Sequence, residues 1–214
     1  MPAQHYKASG ISLIIGSLLM VVTMILHPSG GSIEQILRII NLAIISHSLA
    51  ILSTPFLLLG FWGLTNKLKE SYFFAMSAFM AMATGLIAVM IAAAVNGIAL
   101  PLYAQHYAGA PEKTLEIVRH IMAYGTVFNH AFDYIFIGAT CLAVLFWSIS
   151  ILDTKALPQW LAYLGIIYFL VCGVMFFMGF SFLYLHSFTV YIFGSVVWIL
   201  LAAFSLLKMK SNSV

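Results

Sequence analysis

The sequence predicts an all-α polytopic membrane protein, with six transmembrane helices in a bundle. Three observations predict it. Of 214 residues, 63% are hydrophobic and only 7% are charged, whereas a soluble domain carries about 25% charged residues. The mean hydropathy is +1.07, which leaves no polar shell for a soluble core. The apolar residues also gather into six runs, roughly 10–27, 38–63, 73–100, 121–151, 158–184 and 188–207. About 20 apolar residues suffice to cross a bilayer as a helix. A β-barrel is excluded, because barrel strands alternate in short segments, unlike IIGSLLMVVTMIL at 14–26. No internal repeat or low-complexity tract divides the chain, so residues 1–214 are taken as a single integral membrane domain.

In the first run, Lys7 followed by an apolar stretch has the look of a secretory signal. No small-x-small cleavage site follows, and the run ends in His27-Pro28-Ser29-Gly30-Gly31, so it is expected to stay as span 1. Ser32 and Gln35 have capping-box spacing and open the helix of span 2. Pro55 is expected to kink that span, with Ser53 or Thr54 satisfying the freed backbone. The stretch NKLKES separates spans 2 and 3, and Pro101 is expected to end span 3. Pro111 fits the first position of a helix that runs straight into span 4. Leu157-Pro158 opens span 5, and Leu185-His186-Ser187 is expected to form a tight turn into span 6.

Orientation follows from Lys and Arg in the short loops. Lys7, Lys67, Lys69, Lys155, Lys208 and Lys210 fall on one side, and Arg38, Lys113 and Arg119 on the other. This bias predicts N-in and C-in, with both termini cytoplasmic, in a bacterial cytoplasmic (inner) membrane. The expected partner is the lipid bilayer, with a homo-oligomer or a membrane complex as further associations. The net charge of +3 is scattered and makes no basic patch for nucleic acid. Cys141 and Cys172 both fall inside spans and are expected to pack as small apolar residues.

A rise of 1.5 Å per residue converts position into depth. His47 in span 2 and His130 in span 4 each lie roughly 12 Å below the outer boundary, and Asp133 about one turn deeper. Asn96 in span 3 lies roughly 7 Å below it. His27 ends span 1 at the outer face, and His106, His120 and His186 fall in outer loops, where they are expected to be solvated. The segment FNHAFDYIF, 128–136, places Asn129 and His130 one helical turn from Asp133. A carboxylate beside an imidazole orients the ring. An ionised acid within a span costs at least about 2.5 kcal/mol, so Asp133 is expected to pair or to line a cavity.

These residues predict an outward-facing pocket between spans 2, 3 and 4, built from His47, Asn96, Asn129, His130 and Asp133. Its expected occupant is a small ligand or a metal centre. Two histidines at matched depth suit the axial positions of a haem b. His47, His130 and Asp133 together suit a divalent metal with nitrogen and oxygen ligands. Alternative readings are a small-solute or proton-coupled transporter, and an accessory subunit whose polar residues join helices. Met20 and Met24 precede His27 at helical spacing and have the softness of Cu(I) ligands, but with 11 Met in so apolar a chain they are expected to be packing residues. No GxSxG, HExxH, Walker or Gly-rich nucleotide motif is present, so no catalytic residue is assigned.

Overall fold

A chain inside lipid has no water to satisfy its peptide groups, so the backbone must pair with itself. The structure, a computed structural model, describes residues 3–28 and 31–208. Those residues are helical nearly throughout and contain no strand. Eight α-helices follow in order: α1 Ala3–Leu26, α2 Ile33–Arg38, α3 Ile40–Lys67, α4 Tyr72–Ala94, α5 Leu100–His106, α6 Glu112–Thr154, α7 Gln159–Phe177 and α8 Leu185–Leu207. Six helical stretches are long and apolar enough to cross a membrane, with α4 and α5 forming one of them. Ser29, Gly30 and Lys210 lie outside the described residues.

α1 and α3 interlock through reciprocal glycine sockets. The Leu13 side chain occupies the space beside Gly60, and Leu57 occupies the space beside Gly16. Both leucines are buried. Small residues allow such close backbone approach where lipid supplies no hydrophobic drive between helices. α4 packs along α6, α8 closes on α1, and α7 leans on α6. At the end of the bundle holding Lys67 and Lys155, Trp147 stacks between Phe61 at 4.7 Å and Trp198 at 6.1 Å. Its indole Nε1–H donates to Thr65 Oγ1 at 3.2 Å, while Trp198 Nε1–H donates to the Leu161 carbonyl at 3.1 Å. This aromatic column ties α3, α6, α7 and α8 together and seals that end.

Four boundaries differ from the sequence reading. The capping box at Ser32 and Gln35 forms, but it opens only the six-residue α2, which breaks at Ile39 before α3 begins. α3 continues unbroken through Pro55, with Ser53 and Thr54 both donating to the Ala50 carbonyl. Pro101 does not end span 3. A π-turn over Val95–Ala99 precedes it, and the Leu100 N–H reaches back to the Val95 carbonyl. That wider turn shifts the carbonyl register ahead of the proline, and the helix resumes as far as His106.

Span 5 stops at Phe177 rather than 184. Gly179 takes φ +78, its N–H donates to the Phe176 carbonyl, and the Phe180 N–H donates to the Met175 carbonyl. This is the Schellman pattern, and it needs a residue that tolerates the left-handed region. The turn into span 6 is therefore 178–184, while Leu185, His186 and Ser187 form the first turn of α8.

Candidate ligand-binding site

Opposite the tryptophan column, α1, α3, α4, α6 and α8 diverge around a cavity of about 370 Å³. Residues from all five helices line it. His47, Asn96, Asn129, His130 and Asp133 all do so, although they come from three different spans. From His47 to Leu57 on α3, and from Asn96 to Leu86 on α4, the lining runs ten residues, or roughly 15 Å of helix. The polar groups sit toward the α2 end. The deeper lining is Leu57, Leu86, Phe136 and Ile192.

Backbone irregularity positions His47. The π-turn places Gly97 directly against the His47 ring, so a Cβ there would overlap the ring. His47 Nδ1–H donates to the Ala43 carbonyl at 2.8 Å, with Ser46 Oγ at 3.2 Å from the same nitrogen. A carbonyl only accepts, so Nδ1 carries the proton and Nε2 keeps its lone pair. Asn96 belongs to the same π-turn. π-bulges recur at functional sites because they re-aim side chains.

On α6, Asn129 Nδ2–H donates to Asp133 Oδ2 at 2.7 Å. The carboxylate therefore takes its helical i+4 neighbour as partner, not the His130 ring that sequence spacing also offered. The amide can lie flat against the carboxylate one turn away, which leaves the imidazole free. Among the described residues, neither His130 nor Asn96 has a side-chain hydrogen-bond partner. Both are half-buried and line the cavity.

The arrangement differs from the metal set read from the sequence. His47, His130 and Asp133 line one cavity, yet no three His, Cys, Asp or Glu side chains among the described residues come close enough together to hold an ion. The all-nitrogen-and-oxygen cage is not formed.

Two contributions go beyond the site expected from the sequence. His27 is not a solvated end residue. It is half-buried, and its ring lies 4.8 Å from that of His47, tilted by 55°. His27 Nδ1–H donates to the Pro28 carbonyl at 3.0 Å. Its turn-by-turn alignment with Met20 and Met24 was the available signal, since all three share one face of α1 and line the cavity. The second contribution is the 178–184 turn, which brings Leu183 and Tyr184 over the cavity. Gly179 was its signal. His106, His120 and His186 are exposed and take no part.

A second cavity of about 420 Å³ adjoins the first and shares His27, His47 and Asn96 with it. Glu34 of α2 and Arg119 of α6 stand on its wall. A hydrogen bond from the Ser32 hydroxyl holds the Glu34 carboxyl below the usual carboxylate range. Arg119 pairs with Glu112 at 2.6 Å.

Fold and composition define a multi-pass helical membrane protein. Comparison with protein-family models, with curated proteins and with solved structures returns no match, so the chemistry must be argued from the cavity itself.

Proposed function

We propose that the cavity binds a small amphiphilic molecule from the outer leaflet side of a bacterial cytoplasmic membrane. The observation that carries this reading is the convergence of five polar side chains, from three spans, on one otherwise apolar cavity. Asn96 and His130 have no protein partner there, and unsatisfied polar groups in an apolar setting are costly without a ligand or water. About 370 Å³ lies within the usual range for small-molecule sites. The ligand's polar head meets Asn96, Asn129, His130 and Asp133, and its apolar body extends toward Leu57, Leu86 and Ile192. In this assignment Asp133 supplies the charge or accepts a proton, and the asparagines orient the head by hydrogen bonds.

Orientation rests on the lysines. Lys7, Lys67, Lys69, Lys155 and Lys208 lie at the end opposite α2, which favours N- and C-termini in the cytoplasm and a cavity facing outward. The Phe61–Trp147–Trp198 column at the cytoplasmic end makes the cavity a cul-de-sac, which favours binding over translocation.

The test is direct. The protein is purified in mild detergent, and its absorbance spectrum and native mass spectrum are recorded beside those of Val89→Trp, which fills the deep half of the cavity. A discrete bound mass, present in the wild type and lost in Val89→Trp and Asp133→Asn, is the expected result. A Soret band would replace the amphiphile with haem. An empty cavity that no amphiphile of matching length occupies would refute the reading.

A further inference from the structure

We propose that His27, His47, Met24 and Met20 form a Cu(I) site at the outer mouth of this cavity. The inference rests on the cavity being an open binding site and goes further, because it assigns a metal and a donor set that the amphiphile reading does not use.

Four observations lead to it. Both imidazoles spend Nδ1–H on a backbone carbonyl, His27 on Pro28 at 3.0 Å and His47 on Ala43 at 2.8 Å. That is the arrangement by which proteins fix a ligand histidine's tautomer and leave Nε2 for a metal. The ring centroids are 4.8 Å apart. Two imidazoles sharing one tetrahedral ion, with each nitrogen about 2 Å from it, have centroids a little over about 5 Å apart, so these rings need only a small adjustment to share one. Met24, nine-tenths buried, and Met20 lie on the same face of α1 as His27 and line the same cavity. Finally, the Thr23 hydroxyl, 6% exposed, lines this wall without any hydrogen-bond partner, so the region holds an unmet polar demand of its own.

The donor chemistry selects the metal. Thioether sulfur is soft and favours Cu(I), while zinc and other harder divalent ions need further anionic or imidazole ligands. No third His, Cys, Asp or Glu among the described residues completes such a set. A +1 ion held by neutral nitrogen and sulfur also carries a smaller desolvation cost than a +2 ion in the same place. The carboxylate of Asp133, on the facing wall, supplies the countercharge. The adjoining cavity, which shares His27 and His47, lies on the α2 side of the site.

The experiment titrates the full-length detergent-solubilised protein with Cu(I), under reducing anaerobic conditions, against a chromophoric Cu(I) chelator. One Cu(I) per chain is expected, with X-ray absorption showing both nitrogen and sulfur neighbours. His27→Ala and Met24→Leu are each expected to weaken binding at least tenfold, and Zn(II) is expected not to compete. Met24→Leu preserves volume and apolar character, so it keeps the test valid even where a histidine variant folds poorly. No stoichiometric Cu(I), a sulfur-free coordination shell, or unchanged affinity in Met24→Leu would each overturn the proposal. Val89→Trp separates the two readings. It is expected to keep Cu(I) while excluding an organic ligand from the deeper half. Absence of Cu(I) binding from the wild type sinks this inference and leaves the other standing, while absence of a bound organic molecule from the wild type sinks the other and leaves this one standing.

Discussion

Gly97→Ala is the sharpest probe of how the site is built. The added methyl lands on the His47 ring, which is held from the other side by its bond to the Ala43 carbonyl at 2.8 Å. The ring cannot yield without losing that bond. Overpacking a tight site costs about 1–3 kcal/mol. Loss of a buried hydrogen bond adds about 1 kcal/mol. The expected destabilisation is therefore about 2–4 kcal/mol, measured by equilibrium unfolding in mixed micelles. The control is the same change in a His47→Gly background, because alanine would keep the Cβ that the added methyl also overlaps. With the whole His47 side chain gone, the atoms nearest the methyl are removed, and the cost falls below about 1 kcal/mol, since Ala is the better helix former. The cycle should thus return a coupling of roughly 2 kcal/mol, within the range seen for contacting residues. Additive effects of Gly97→Ala and His47→Gly would show that the π-turn does not seat the histidine, and the geometric account of the site would fall.

Other expectations follow from single contacts. Gly179→Ala meets no neighbouring atom, so its cost is backbone strain alone, about 1–2 kcal/mol for a left-handed alanine. Gly173→Ala, also in open space but inside α7, serves as the comparison and should be neutral or mildly stabilising by the same unfolding assay. Thr65→Val leaves the buried Trp147 indole N–H unpaired and should cost about 1–3 kcal/mol, accompanied by a change in tryptophan near-UV dichroism. Asn129→Leu removes the one side-chain donor to Asp133. It should destabilise more than the double change Asn129→Leu/Asp133→Leu, because a half-buried acid left without its partner costs more than an apolar pair. Equal stabilities for those two variants would show that Asp133 is solvated rather than paired.

What could be read in advance, and what could not, divides along a physical line. Depth in a membrane helix is a one-dimensional quantity, fixed by residue count and rise. Counting places His47 and His130 at matched depth, with Asn96 above them and Asp133 about a turn below, and all five of His47, Asn96, Asn129, His130 and Asp133 line one cavity. The Ser32 capping box and the long helix starting near Pro111 were legible for a similar reason: each depends on neighbours within one helical turn. The angular and irregular features escaped. Whether His130 or Asn129 would take the Asp133 carboxylate depends on side-chain rotation about α6, which spacing does not fix. Pro101 was taken as a stop because proline lacks an N–H and clashes in a regular helix. The preceding π-turn removes the premise of regularity.

His27 shows the same division most clearly. Judged by depth alone it sits at the boundary, where a solvated imidazole is the cheaper state. What buries it is lateral: α1 lies against α3, with Leu13 and Leu57 socketed into Gly60 and Gly16. Those sockets bring the backbones close and set the rotational register between the helices. One further turn along α1 then carries Met20 and Met24 onto the cavity wall, and the next carries His27 onto the His47 ring. The glycines and leucines of the deep interface thus determine which histidines meet at its mouth. A bulky substitution at Gly60 should accordingly separate the two imidazoles even though it lies far from either. Cross-peaks between the two imidazole rings in an NMR NOE spectrum would report it: the 4.8 Å centroid separation predicts them in the wild type and their loss in the variant.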